Sequence, residues 1–353
     1  MALNTYDVVN AAALGDSLPS LTQAYYDRKL LERSKRKLVH DQYGQMRPMK
    51  RKSGNQIMFR RWEKLAQNVT ELQDGVTPTG KATSHTNVVA TIKQYGDFVK
   101  TTDRVGLLHP DDVVSEHISI LSTQMGESMD SIVRDIINAG TNFIRSTADG
   151  ASPTYGAGAR STVNGCITKF MVDQMLTTLH AADAEYPEMM IGATTKVATE
   201  PVGESYVTII HPYVAHDLVQ SASGFGTDFV PVEKYASTGK LLMGEIGKYR
   251  NTRFVMSTNA KGWLAEGGTT GAGSTYRSSD STNCDVYSVL MIGRNAYGVV
   301  PLPGASKTIV KGLGSAGTAD PLNQRATVGW VAWRTAAILN DNYMVRGEVA
   351  VRR

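Results

Sequence analysis

The chain has 353 residues, 41% of them hydrophobic and 20% charged, with a net charge of +4; this is the make-up of a folded protein with a real core and it excludes a disordered polymer. Two cysteines, Cys166 and Cys284, far apart and in no C-x-x-C spacing, exclude a disulfide scaffold and a cysteine zinc site and read as packed, reduced thiols. No apolar run reaches the roughly 18 residues of a membrane helix, and the start MALNTYDVVN lacks the basic and apolar stretches of a secretory signal, so synthesis and first action are expected in a reducing cytoplasm.

The charge is unevenly spread. Residues 28–64 hold 13 Lys or Arg against three acids, a local balance of +10 that leaves −6 on the other 316 residues. A basic segment on a mildly acidic body suits contact with nucleic acid or with an acidic surface on another copy. The plain alternative is a solvated surface with no partner.

In chain order, residues 1–20 read as extended and in need of a partner to order them. Over 21–39, Leu21, Ala24, Tyr25, Leu31, Leu38 and Val39 fall loosely on one face, which predicts a helix in an N-terminal arm. In PMKRKSGNQIMFRRWEKL the turn set Ser53-Gly54-Asn55 separates two strand-like halves, a hairpin signal. TSHTNVVATIKQYGDFVKTTDRV alternates and is rich in β-branched and aromatic residues, which predicts one long strand. Residues 46–104 are thus extended, basic and short of large apolar side chains. They predict a β-excursion that rests on something outside its own domain.

Inside that excursion DGVTPTGKAT places Gly75, Gly80 and Lys81 at the spacing of a phosphate-binding loop. Such a loop needs a buried strand before it, a helix after it and a magnesium-binding hydroxyl. Here NVTELQ precedes, a strand pattern follows, and Ala82 replaces the hydroxyl. The match is an accident of spacing.

A long helix is predicted over 110–140. Pro110, Asp111 and Asp112 suit its first turn, and Val114, Ile118, Leu121, Met125, Met129, Ile132 and Ile136 recur at steps of three or four. A Gly/Ser/Ala-rich loop spans 149–165, and Ile167, Met171, Met175 and Leu179 mark a second amphipathic helix. SYVTIIHPYVAHDLVQS predicts a strand, a turn at His211-Pro212 and a short helix. Later strands are predicted at RFVMST, DVYSVLMIG, YGVVPL, KTIVK, VGWVAWRTAAIL and NYMVRGEVAV, with a long loop over 261–283. The order is α+β, without regular βαβ alternation.

No catalytic or metal constellation converges. Gly312-Leu-Gly314-Ser-Ala-Gly317 copies the dinucleotide fingerprint, but TADP follows where a helix should open, so it reads as a glycine-rich turn. His211 and His216 lie five apart across a proline, and His109 and His117 flank acids better explained by helix capping than by metal ligation. No G-x-S-x-G elbow occurs. The expectation is therefore no catalytic residue, no cofactor and no metal.

From Glu71 onward, L-x-x-G-V-T-P-x-G followed by Q-Y-G-D-F resembles the major capsid (head) proteins of tailed bacteriophages. MKRKSGNQIMFRRWE, RDIINAGTN, TIIHPYVAHDL and GEIGKYRNTRFVMST extend the resemblance, in order, over about 30–346. It implies the Hong Kong 97-type capsid fold: an N-terminal arm (1–45), an extended loop (46–95) and a peripheral domain (96–164) with its spine helix over 110–140. An axial domain with return strands (165–325) and closing strands of the peripheral domain (326–353) complete the division. The implied role is structural, with pentamers and hexamers closing an icosahedral shell around double-stranded DNA in the virion, after assembly in the bacterial cytoplasm. Implied partners are further copies, a separate scaffolding protein, a portal, a decoration protein and, non-specifically, packaged DNA, with no membrane. Arg47, Lys50, Arg51, Lys52, Arg60 and Arg61 are the expected intersubunit contacts.

Three rivals remain at this level. An encapsulin-like nanocompartment has the same fold but encloses an enzyme. A nucleotide hydrolase using Lys81 predicts turnover and a small oligomer. A nucleic-acid-binding module predicts salt-dependent binding of DNA by the isolated subunit.

Overall fold

The computed structural model describes residues 38–50, 52–77, 79–108, 113–147, 154–155, 158–187, 203–220, 225–235, 241–269, 275–304, 306–316 and 319–352. Most of the predicted 21–39 helix and the expected Pro110 cap lie outside these residues. Leu38 and Val39, at the edge, are not helical.

The first half builds a hairpin and a helix. Strand β1 (Gln45–Met46) is followed by β2 (Gln56–Trp62), β3 (His85–Thr91) and β4 (Lys93–Thr102). Helix α1 (Asp103–Leu108) then leads to α2 (Val113–Ile137). At 25 residues, α2 is about 38 Å long. Its buried line runs Ile118, Leu121, Met125, Met129, Val133, Ile137. Ile132 and Ile136, expected on that line, are only half-buried. A strict seven-residue repeat drifts about 20° per heptad on a straight helix, so the seam passes from Ile132 to Val133.

The second half alternates short helices with buried strands. After β5 (Phe143–Arg145) and β6 (Thr154–Tyr155) comes α3 (Lys169–Ala181), whose N-cap Thr168 accepts the Met171 N–H. Strand β7 (Tyr206–Ile210) feeds α4 (Pro212–Val219), which starts on the His211 side chain with proline in its first turn. Then follow β8 (Val230–Pro231), β9 (Glu245–Tyr249), β10 (Thr252–Met256), β11 (Gly262–Trp263) and β12 (Val286–Ile292). The chain closes with β13 (Tyr297–Pro301), β14 (Lys307–Lys311), β15 (Arg325–Ile338) and β16 (Met344–Ala350).

Two main sheets result. In the first, β15 pairs with β4 along one edge and with β14 and β13 along the other, and β1 adds parallel to β13. The N-terminal half of α2 covers this sheet, burying Ile118, Leu121, Met125 and Met129 against Val328, Trp330 and Ala332. The second sheet runs β6-β5-β16-β12-β7-β10-β9-β8, with β11 on β12. Its central strands β7, β12 and β16 are buried at every position, because both faces are covered. Met171, Met175 and Leu179 of α3 and Val214 and Leu218 of α4 pack on one face, while Val133 and Ile137 of α2 pack on the other. The helix α2 therefore rests on both sheets.

Three local expectations change. The predicted long strand is two strands in different sheets: β3 pairs only with β2, and β4 pairs with β15. Buried Ile92 is the hinge, its N–H held by the Asn55 carbonyl at 2.9 Å. The predicted hairpin across Ser53-Gly54-Asn55 is a corner instead. The chain before it follows β13, through Arg47 N–H to Val299 and Met49 N–H to Pro301, while β2 turns away to pair with β3. Gly54 makes that corner at φ 88°, a conformation open to glycine. Lastly, the closing strands part: β15 lies in the first sheet and β16 in the second.

Candidate assembly surface

The β2–β3 hairpin has two unlike faces, as strand alternation requires. Inward, Phe59 and Ala90 join Met49, Ile92 and Val300 in a small core against the first sheet. Gly298 on β13 makes room: a Cβ there would stand 2.7 Å from the Phe59 ring. Hence residues 46–62 and 85–104 do carry core side chains, contrary to the reading of the whole excursion as coreless. A sparse pattern hid them, since Met49, Phe59 and Ile92 are far apart in sequence and meet only through the corner.

Outward, the hairpin is apolar and open. Met58 is 49% exposed, Trp62 61% and Val89 49%. Beyond Trp62 the irregular tip adds Leu65, Val69, Leu72 and Val76, exposed by 48 to 91%. No described residue of 64–84 is buried. The Gly75–Lys81 match lies in this tip, where the Lys81 ammonium reaches only the Ala66 carbonyl at 3.5 Å and no helix follows.

The six expected contact cations divide. Arg47 donates to the Met58 carbonyl at 3.2 Å and lies 5.8 Å from the Phe59 ring centre. Arg61 spans to the Leu339 carbonyl (3.1 Å) and Glu63 (3.0 Å), pinning the hairpin to the end of β15. The Thr86 hydroxyl and Arg61 together hold the Glu63 carboxyl below its ordinary pKa. Arg60 makes a long cross-strand bond to Asn87, 3.4 Å, and is exposed. Lys50 and Lys52 are exposed, and Arg51 lies outside the described residues. Nearby, Lys64 meets Asp183 at 2.7 Å, tying the start of the tip to the turn after α3.

Two buried polar knots hold the scaffold behind this surface, and neither was foreseen. Asp130, inside the apolar seam of α2, accepts the N–H groups of Val39 and His40 and faces the His40 ring, all at 2.8 Å. Burial would raise the Asp130 carboxyl pKa, but the His40 and Asn259 bonds outweigh it and the net shift is downward. In the second sheet Glu348 is fully buried and takes Arg145 at 2.9 Å, Arg346 at 3.0 Å and Arg160 at 3.2 Å. Arg160 also lies 3.9 Å from the Trp263 ring centre. Burial pushes the Glu348 carboxyl up, and the three guanidinium groups pull it below the usual range. The one sequence signal for either knot was an acid set in an apolar stripe.

Among the described residues no group of three His, Cys, Asp or Glu is placed to hold a metal ion, and no helix is long and apolar enough to cross a membrane. His211 caps α4, with burial pushing its pKa down to about 4. The second glycine motif is a turn, with Gly314 at φ 89°.

No protein-family model matches this chain, and no curated protein matches it in sequence. Solved structures do. The capsid of Ralstonia phage GP4 superposes with a TM-score of 0.62 at 14% identity, covering 88% of each chain. The capsid structure of Cyanophage P-SCSP1u gives 0.55 at 16% identity over 88% of this chain and 87% of that one. The Cyanophage Pam1 capsid gives 0.55 at 13% over 89% and 93%. The two-sheet α+β architecture, with α2 lying across it and the β2–β3 hairpin projecting from it, is the Hong Kong 97-type fold of phage major capsid proteins.

Proposed function

We propose that the chain is a structural major capsid protein, whose copies form pentamers and hexamers and close an icosahedral shell around double-stranded phage DNA. One observation carries this reading. The hairpin shows seven large apolar side chains to solvent, from Met58 to Val89, on a tip with no core of its own. A soluble monomer rarely leaves such a surface uncovered, and a neighbouring copy would cover it. The first sheet with α2 would serve as the peripheral domain, and the α3–α4 side of the second sheet as the axial domain. Arg47, Lys50, Arg51, Lys52, Arg60 and Arg61 would face neighbours, with Arg47 and Arg61 also bracing the hairpin through the Met58 and Leu339 carbonyls. The role is structural, not enzymatic. Location in the virion, assembly in the bacterial cytoplasm, and a scaffolding protein, portal and decoration protein as partners belong to the same reading.

Electron microscopy and sedimentation of the purified chain test it, with shells or capsomers as the expected result. A stable monomer under all assembly conditions would sink it. Particles that contain a cargo enzyme and no nucleic acid would favour the nanocompartment instead.

A further inference from the structure

Between the hairpin and the body lies an open cleft of about 530 Å³, with Arg61 and Lys64 on one side and Asp183, Leu339 and Asn342 on the other. Among the described strands β2 and β3 pair only with each other, so no ladder fixes the hairpin's angle to the second sheet. Polar contacts span the cleft instead. The Arg61 guanidinium donates to the Leu339 carbonyl at 3.1 Å, and the Lys64 ammonium meets the Asp183 carboxylate at 2.7 Å. The Lys64 and Asp183 side chains are 80% and 74% exposed, and a pair so open to water adds little to stability.

Asp183 holds its place against two local preferences. Helix α3 ends in a full Schellman motif: the Ala184 N–H bonds the Leu179 carbonyl at 3.1 Å, and the Asp183 N–H bonds the His180 carbonyl at 3.0 Å. That motif puts Asp183 at φ 54°, the left-handed position where glycine or asparagine is the ordinary choice. Its carboxylate also stands at the negative end of the helix dipole. A residue that breaks two local rules at once points to a gain elsewhere in the fold. The partner its carboxylate meets is Lys64, across the cleft.

We propose that Lys64 and Asp183 form a latch that selects the angle between the hairpin and the second sheet, and that this angle sets the curvature of the shell. The latch lies within one subunit, and its effect on curvature rests on the shell-forming reading. The seven residues of β2, at about 3.3 Å each, span roughly 23 Å, so a tilt of about 5° shifts the end of the strand by about 2 Å. A neighbour seated on that end moves with it, and the shift repeats at every subunit of a closed shell. An exposed pair suits this role, because it biases an angle without anchoring the fold.

Distances between two spin labels in the unassembled full-length protein test the latch. The labels sit on cysteines introduced by V89C on the hairpin and T177C on α3, both exposed positions. D183G and K64E should each widen the distance distribution at least about twofold. Salt at about 1 M, where the Debye length is about 3 Å, should do the same to the parent. D183G should melt no lower than the parent, since glycine relieves both the φ and the helix end. Unlabelled D183G and K64E should then give shells whose diameters, by electron microscopy, spread at least about twice as widely as the parent's. An unchanged distance distribution in both variants overturns the latch. So does a D183G chain that melts well below the parent, which would make Asp183 part of the fold's stability. A widened distribution with parental shells overturns the role in curvature. A parent that forms no shell overturns the shell-forming reading and curvature with it, while the distances still decide the latch.

Discussion

Asp130 on α2 is the seat for His40: one carboxylate oxygen accepts the His40 backbone N–H and the other faces the His40 ring, both at 2.8 Å. The two side chains are 90 residues apart and almost fully buried, at 0% and 1% exposure. The Tyr297 hydroxyl donates to the His40 carbonyl, and Arg334 pairs with Asp41 next to it. The segment that leads out of the basic arm is thereby fastened to the helix and to the first sheet.

Removing that seat should be costly. Asp130→Ala strands the buried His40 N–H and leaves the half-buried Val39 N–H and Asn259 amide without their acceptor, at roughly 3 kcal/mol of stability. The bonded carboxyl has a lowered pKa in the folded state. Its contribution is therefore complete above the unfolded value of about 4 and is lost as pH falls through the folded value. Urea unfolding at pH 7 and pH 3 should show the gap between parent and variant narrowing at the lower pH. An unchanged gap would remove the carboxylate's charge from the account.

The hairpin divides into a core part and a free part. Phe59, 4% exposed against β13, should cost about 3 kcal/mol when cut to Ala. Replacing residues 65–81 with a short Gly-Ser linker should leave the melting temperature unchanged and abolish assembly. A linker variant that melts early would show that the tip contributes to the fold of its own subunit.

On α2 the face decides the cost. Leu121, 1% exposed over Val328 and Trp330, should lose about 2–5 kcal/mol on substitution by Ala. Ile120→Ala, at a position 62% exposed, should change stability by less than about 0.5 kcal/mol. Equal losses in chemical denaturation would mean that the register of the helix is wrong.

Cys166 should resist alkylation in the native protein. Burial, helped by the Asp217 charge, pushes its thiol up to about 12, and Cys284 is also raised by burial. At pH 8 almost no thiolate forms, so a thiol reagent should label both cysteines only after unfolding. Rapid labelling of folded protein would contradict the packing around them.

Part of this protein was legible from residue order alone. The seam of α2, the strands from β12 to β16, the helices α3 and α4 and the tip without a core all follow from spacing and side-chain type, which are local properties. Local periodicity did not show where a strand would find its partner. Ile92 ends one pairing and opens another because the corner at Gly54 turns β2 away from β13. The same pattern that marks β15 and β16 as strands is silent on their going to different sheets. Nor did sequence bring Arg145 to Glu348, 203 residues on, or His40 to Asp130. A buried carboxylate is stable only when donors from distant segments converge on it, and that convergence exists only once the sheets have packed. The exposed tip stands at the boundary between the two kinds of knowledge. Its lack of a core was readable from composition, but the seat of the hairpin's root, Phe59 and Ala90 against Ile92 and Val300, exists only once the corner and the first sheet have met.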